Sequence, residues 1–228
     1  MRSVACSKRM QFLRPVLKAF LGNLDRYADV QGWDDFGHAY NERATLSVFA
    51  AACWASDLIA IEEYTNWKGR GADAKRGRGD LWARCPKTDT QIIFEAKQHK
   101  TALGSHDETI RAALKAADCD AVQNRDAMLR AGLTFFTPVL PVGVERDQVV
   151  ELFERIRTLA LAHGVDGLAL WYPEEAMPDP DEARRNGHEY MFPGVLAVLR
   201  IAAVTGQRPI PKSERLPIDQ RFRSLALA

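Results

Sequence analysis

The stretch RGDLWARCPKTDTQIIFEAKQ, residues 78–98, constrains the fold more than any other part of the chain. It holds two apolar runs, about 79–85 and 91–97, separated by a short turn through Pro86 and Asp89, the pattern of two adjacent strands in a hairpin. Side chains alternate along a strand, so Gln91, Ile93, Glu95 and Lys97 share one face and Ile92, Phe94 and Ala96 the other. Pairing the two runs brings Asp80 to the end of the ladder that carries Glu95 and Lys97, and its side chain can share their face. Charged groups thus stand where core residues are expected.

Two carboxylates a few ångströms apart repel, and one must keep a proton unless a cation lies between them. Lys97 neutralises part of that charge. A hard divalent cation does so more completely, and Mg2+ with water in its remaining positions fits oxygen ligands of this kind better than zinc does. The chemistry implied is metal-assisted attack of water on a phosphorus or carbonyl centre, with Lys97 orienting or deprotonating the water.

The flanking sequence reads as α/β. Leu13, Val16, Leu17, Phe20, Leu21 and Leu24 recur at helical spacing from Lys8 to about Asp25. Asn41 caps a second helix, roughly 42–57, that is apolar nearly all round and therefore central. Strands follow at about 58–64, 79–85 and 91–97, then a helix carrying Ile110, Ala113, Leu114, Ala117, Ala121 and Met128 that Gly132 stops. A proline-interrupted strand ends near Thr137, Val149, Phe153, Ile156 and Leu159 mark another helix, and VDGLALWY and PGVLAVLRI are two more strands. The polar segment 173–190 between them reads as an exposed loop, and the last twenty or so residues as an extended tail. No repeat or domain boundary interrupts this order. The expectation is one domain with a core of about 40–140, an elaboration of about 141–205 and a tail of about 206–228, built around a mixed sheet.

The pairing of Gly79-Asp80 with the triplet Glu95-Ala96-Lys97, the apolar QIIF before that triplet and a preceding helix with an early glutamate, Glu42, resembles the PD-(D/E)XK phosphodiesterase superfamily, the restriction endonuclease-like nucleases. The resemblance covers about residues 40–140 and implies an αβββαβ core, here with an extra N-terminal helix and C-terminal strands. It implies that Asp80, Glu95 and the Ala96 carbonyl hold Mg2+, with Mn2+ as a substitute, that Lys97 activates water, and that Glu42 assists. Glu62 and Glu63 compete with Glu42 for that last role. Gln98 would contact the phosphate backbone. The family's proline before the aspartate is replaced by Gly79.

Lys and Arg number 31 against 30 Asp and Glu, so net charge makes no case for a polyanionic partner and clustering must carry it. The cluster is NWKGRGADAKRGRGD, residues 66–80, where Lys68, Arg70, Lys75, Arg76 and Arg78 crowd a glycine-rich loop beside Asp80. The GRGADA within it matches a dinucleotide-binding fingerprint, but Gly77 and Gly79 follow where a helix would have to start, and that reading is rejected. Cys6, Cys53, Cys85 and Cys119 form no CxxC pair and read as buried thiols of a reducing compartment. No run of about 18 apolar residues occurs, so the chain is expected in the cytoplasm with no membrane partner. The function expected is a metal-dependent nuclease acting on DNA, with RNA left open, in a defence or repair setting. The competing expectation is a catalytically silent module of the same fold that binds nucleic acid, a protein partner or a second copy of itself.

Overall fold

A helix of mostly small and apolar residues, 42–55, covers one face of the sheet; it turns Leu46, Phe49 and Cys53 inward and leaves Arg43, Ser47 and Trp54 exposed, which corrects the expectation that it is buried all round. The computed structural model describes residues 1–69, 75–124 and 128–204. In chain order these form β1 (Arg2–Cys6), a 3-10 turn (Lys8–Leu13), α1 (Arg14–Val30), α2 (Gly37–Tyr40), α3 (Glu42–Ala55), β2 (Ile59–Lys68), β3 (Lys75–Cys85), β4 (Thr90–Thr101), α4 (Asp107–Gln123), β5 (Leu129–Pro138), β6 (Leu140–Pro141), α5 (Arg146–His163), β7 (Gly167–Trp171), α6 (Pro180–Arg185), β8 (Tyr190–Met191) and β9 (Val195–Val204). Seven strands make one mixed sheet in the order β1-β7-β9-β5-β4-β3-β2, and β6 pairs with β8 apart from it. β2, β3 and β4 are an antiparallel meander, and β4 and β5, joined through α4, run parallel. Such a parallel neighbour needs a crossover, and α4 supplies it.

Alternation decides which face each strand residue serves. Phe94 and Phe135 face α1 and α3, where the ring of Phe49 lies 5.5 Å from that of Phe94 and 5.7 Å from that of Phe20. Phe136, one residue on, joins Ile110, Leu114, Phe153 and Ile156 in a second core under α4 and α5. The helices begin and end where local chemistry allows: the Asn41 side chain accepts from the Ala44 N–H at 3.0 Å, and α5 opens on a capping box of Glu145 and Gln148 and closes on Gly164 in the left-handed conformation.

Five further expectations change. The helix expected to run as far as Gly132 ends at Gln123, and Gly132 lies inside β5, where a Cβ would stand 2.6 Å from Asp118 Oδ1, so this glycine serves close packing against α4 rather than a helix stop. Much of the segment 66–80 is strand and not loop: β2 runs on to Lys68 and β3 starts at Lys75, while residues 70–74, with Arg70, lie outside the described residues. A two-stranded ribbon needs backbone pairing but no apolar face, and glycine and charge therefore hid it. β1 was not foreseen; it adds to the sheet edge by pairing with β7. The excursion 173–190 is not wholly loop, since it contains α6 and reaches β8. Of the four thiols, Cys6, Cys53 and Cys85 are buried but Cys119 is exposed. The extended tail expected beyond 206 lies outside the described residues. Among the described residues, no helix is long and apolar enough to cross a membrane.

Candidate active site

The β3–β4 ladder runs from Cys85 opposite Thr90 to Leu81 opposite Phe94 and stops there. Beyond that rung β3 continues with β2 alone, while β4 continues beside β5 as far as Thr101. The next rung would set Asp80 opposite Glu95, so both stand at the fork where the strands part. Asp80 fills the gap with its side chain: Oδ2 accepts the Ala96 N–H at 2.7 Å. A strand residue sends its N–H and C=O out of the same edge, which aims the Ala96 carbonyl at the same gap.

Glu95 is the most enclosed of the group, 3% exposed. Its Oε1 takes the Lys68 ammonium at 2.8 Å and the Asn124 Nδ2 amide at 2.9 Å. Asn124 follows the end of α4, where Nδ2 also donates to the Ala121 carbonyl at 3.3 Å, and Oδ1 accepts from Asn66 on β2. The Gly69 N–H donates to the Gln123 carbonyl at 3.1 Å, so the end of β2 is strapped across the end of α4 and over Glu95. Burial pushes the Glu95 carboxyl above its ordinary range; Lys68 and Asn124 oppose this, and the charge of Asp80 adds to it.

Lys97 lies on the same face, its Nζ 2.8 Å from Asp120 Oδ2 on α4. Burial would lower its pKa, but the hydrogen bond and charge of Asp120, with Glu42 and Asp80 behind them, outweigh this and raise it. The side chain is therefore held as an ammonium. Glu42, in the first turn of α3, accepts the Gln98 N–H at 3.1 Å. Its carboxyl is raised by burial first and by Asp80 further on, against the Gln98 N–H and Lys97. Glu62 instead accepts from Ser47 at 3.0 Å, and Glu63 pairs with Arg43 at 2.6 Å and Arg78 at 3.2 Å. Of the three glutamates weighed, Glu42 is the one whose charge acts on Lys97.

The residues expected to meet phosphate divide. Lys75, Arg76 and Arg78 are exposed on the β2–β3 ribbon, Lys68 turns inward to Glu95, and Gln98 spends its amide on the His38 carbonyl at 2.7 Å and Thr137 Oγ1 at 3.1 Å. Gly79 has a packing reason: a Cβ there would stand 2.9 Å from Ile93 Cγ2 and 3.2 Å from Asn66 Nδ2, so a proline has no room at this position. Sequence reasoning missed Asn66, Asp120 and Asn124. Asp120 and Asn124 are four apart at the end of a helix, one face by spacing, which was the available signal.

Among the described residues no three His, Cys, Asp or Glu side chains form a ready metal cage. A cation at the fork would have two carboxylates, the Ala96 carbonyl and solvent as ligands. That all-oxygen set suits a hard ion such as Mg2+. No protein-family model, curated protein or solved structure matches the chain.

Proposed function

We propose that the chain is a Mg2+-dependent nuclease of the PD-(D/E)XK type that hydrolyses phosphodiester bonds in DNA, the αβββαβ order α3-β2-β3-β4-α4-β5 being its core. The observation that carries the reading is the fork itself: Asp80 reaches across to the Ala96 N–H at 2.7 Å, beside a buried Glu95 and a Lys97 under the charges of Asp80 and Glu42. Asp80, Glu95 and the Ala96 carbonyl would hold the ion, which when bound supplies Lewis-acid activation of water and charge neutralisation at phosphorus. Lys97 orients the attacking water and faces the phosphoryl oxygens, Asp120 fixes its ammonium, and Glu42 balances the positive charge. Lys75, Arg76 and Arg78 on the ribbon follow the backbone of the substrate.

Phosphodiester cleavage requires on the order of 10 to 20 kcal/mol of barrier lowering, which one lysine does not supply. Activity must therefore depend on the divalent ion. The test is incubation with linear, circular and single-stranded DNA plus Mg2+ or Mn2+. Cleavage is expected to fall at least about a hundredfold in Glu95→Ala and in Lys97→Ala, and cleavage indifferent to both substitutions refutes the assignment.

A second reading has its own observation. Glu95 is sealed by Lys68 and Asn124, and Lys97 is held by Asp120, as in a site kept for stability. On that reading the chain is a silent module that binds nucleic acid or a protein partner, and DNA binding with steep salt dependence, no metal requirement and no product selects it.

A further inference from the structure

Lys68 occupies a position that the proposed chemistry leaves without an explanation. Its ammonium lies 2.8 Å from the carboxylate oxygen that Asn124 also holds, on a glutamate only 3% exposed. A divalent ion coordinated by that oxygen at about 2.1 Å would stand next to the ammonium, and two cations at such a separation repel strongly in a poorly hydrated site. The two cannot share the oxygen comfortably. Lys68 also has a way out, being 24% exposed itself on a strand at the sheet edge. Across the ladder it faces Lys75, and Trp67 faces Arg76. Like charges directly opposite on neighbouring strands are unfavourable, and an anion laid along the ribbon relieves that repulsion.

Resting on the nuclease reading, we propose that Lys68 is a resident counter-cation that holds Glu95 until a substrate phosphate draws its ammonium away, so that the divalent ion and nucleic acid bind cooperatively to this site. Lys68 is on this account a positioning residue. Its exchange of partners from Glu95 to phosphate makes metal affinity depend on substrate, and linkage requires DNA affinity to depend equally on the metal.

The experiment is calorimetric titration of Mn2+ into the full chain, with and without a short DNA duplex, in a Lys97→Ala background that prevents cleavage. Lys68→Met removes the ammonium; Lys68→Gln also removes the charge but can keep a hydrogen bond to Glu95, which guards against a variant that fails to fold. Without DNA, both variants are expected to bind Mn2+ about tenfold more tightly than the Lys68 protein. DNA is expected to tighten Mn2+ binding by a similar factor of about ten when Lys68 is present and by less than about twofold in the variants. If Glu95→Gln abolishes Mn2+ binding but the Lys68 variants bind no better, or DNA tightens binding equally with and without Lys68, the counter-cation role is overturned and the metal site stands. If no protein shows Mn2+ binding that depends on Glu95, the nuclease reading fails and this proposal with it.

Discussion

Adding one methyl group at Gly79 separates packing from backbone preference at the fork. Gly79 is a strand residue without positive φ, so by backbone criteria alone Gly→Ala should stabilise the chain by about 0.4–1 kcal/mol through the unfolded state. The new Cβ, however, would stand 2.9 Å from Ile93 Cγ2, 3.2 Å from Asn66 Nδ2 and 3.6 Å from Asn124 Oδ1. Ile93 is fully buried, and its Cγ2 sits directly on a branched β-carbon with little rotational freedom. Asn66 is tied to Asn124, which is tied to Glu95, so neither amide can yield without loosening the carboxylate. Overpacking of this kind costs about 1–3 kcal/mol. The net expectation for Gly79→Ala is a loss of about 1–2 kcal/mol in urea unfolding, a fall in Tm of about 5 °C for a chain of this size. Gly77→Ala, two residues away on the same strand, is the control. The nearest atoms its Cβ would meet are all in the Lys68 stem, Cδ at 3.0 Å, Cγ at 3.1 Å and Cβ at 3.6 Å, and an unbranched stem can give the few tenths of an ångström required while its ammonium stays on Glu95. Its stability should stay within about 0.5 kcal/mol of the parent. A Gly79→Ala protein as stable as Gly77→Ala, or more so, refutes the claim that the Asn66–Asn124–Glu95 network is tightly packed against β3.

Two further outcomes are expected. Asp166 is fully buried, with Oδ1 accepting from Arg9 at 2.6 and 2.9 Å and from Ser7 at 3.3 Å, and Oδ2 accepting the Ile201 N–H at 2.8 Å; Asp166→Asn forces an amide against a donor on one side and should cost about 3 kcal/mol in denaturant unfolding, with a loss under about 1 kcal/mol counting against the pairing. Burial pushes the His38 imidazole down from 6.5 to about 4, so between those values the unfolded chain takes up a proton that the folded chain does not. Its contribution is complete above pH 6.5 and is lost as pH falls; between pH 7 and pH 5 it amounts to about 2 kcal/mol, and a His38→Gln protein should lack that share of the acid sensitivity in paired unfolding curves.

The alternation in QIIFEAK was enough to place Ile92, Phe94 and Ala96 against the helices of the first core and to turn Glu95 and Lys97 to the other face, because a period of two is a property of the strand itself. The helix at 42–55 was legible in its existence and its cap but not in its placement: Leu46, Phe49 and Cys53 face the first core, while Arg43, Ser47, Ala51, Trp54 and Ala55 are exposed, so it covers one face of the sheet. What closes over the carboxylate was not legible. Lys68, Asn124 and Asp120 meet Glu95 and Lys97 across 27, 29 and 23 residues of chain, through a ribbon and the end of a helix whose local patterns are polar and say only that they are near water.

That difference bears on how the site must be tested. A face is decided by one strand, so Glu95 pointing away from the first core survives any small error in register by two. The bond from Lys68 to Glu95 depends on β2 being four residues longer than its apolar pattern suggests, with Lys68 opposite Lys75 and the Gly69 N–H on Gln123. A like-charged rung at the edge of a sheet is not kept by the strand pair, which it weakens. It is kept by Glu95 on one side, and the partner best able to replace Glu95 is an anion. The same rung that hid the strap from sequence reading is therefore what makes its release by phosphate a physical expectation, and a Lys68→Met chain that binds Mn2+ no more tightly than its parent would remove the reason for drawing the two together.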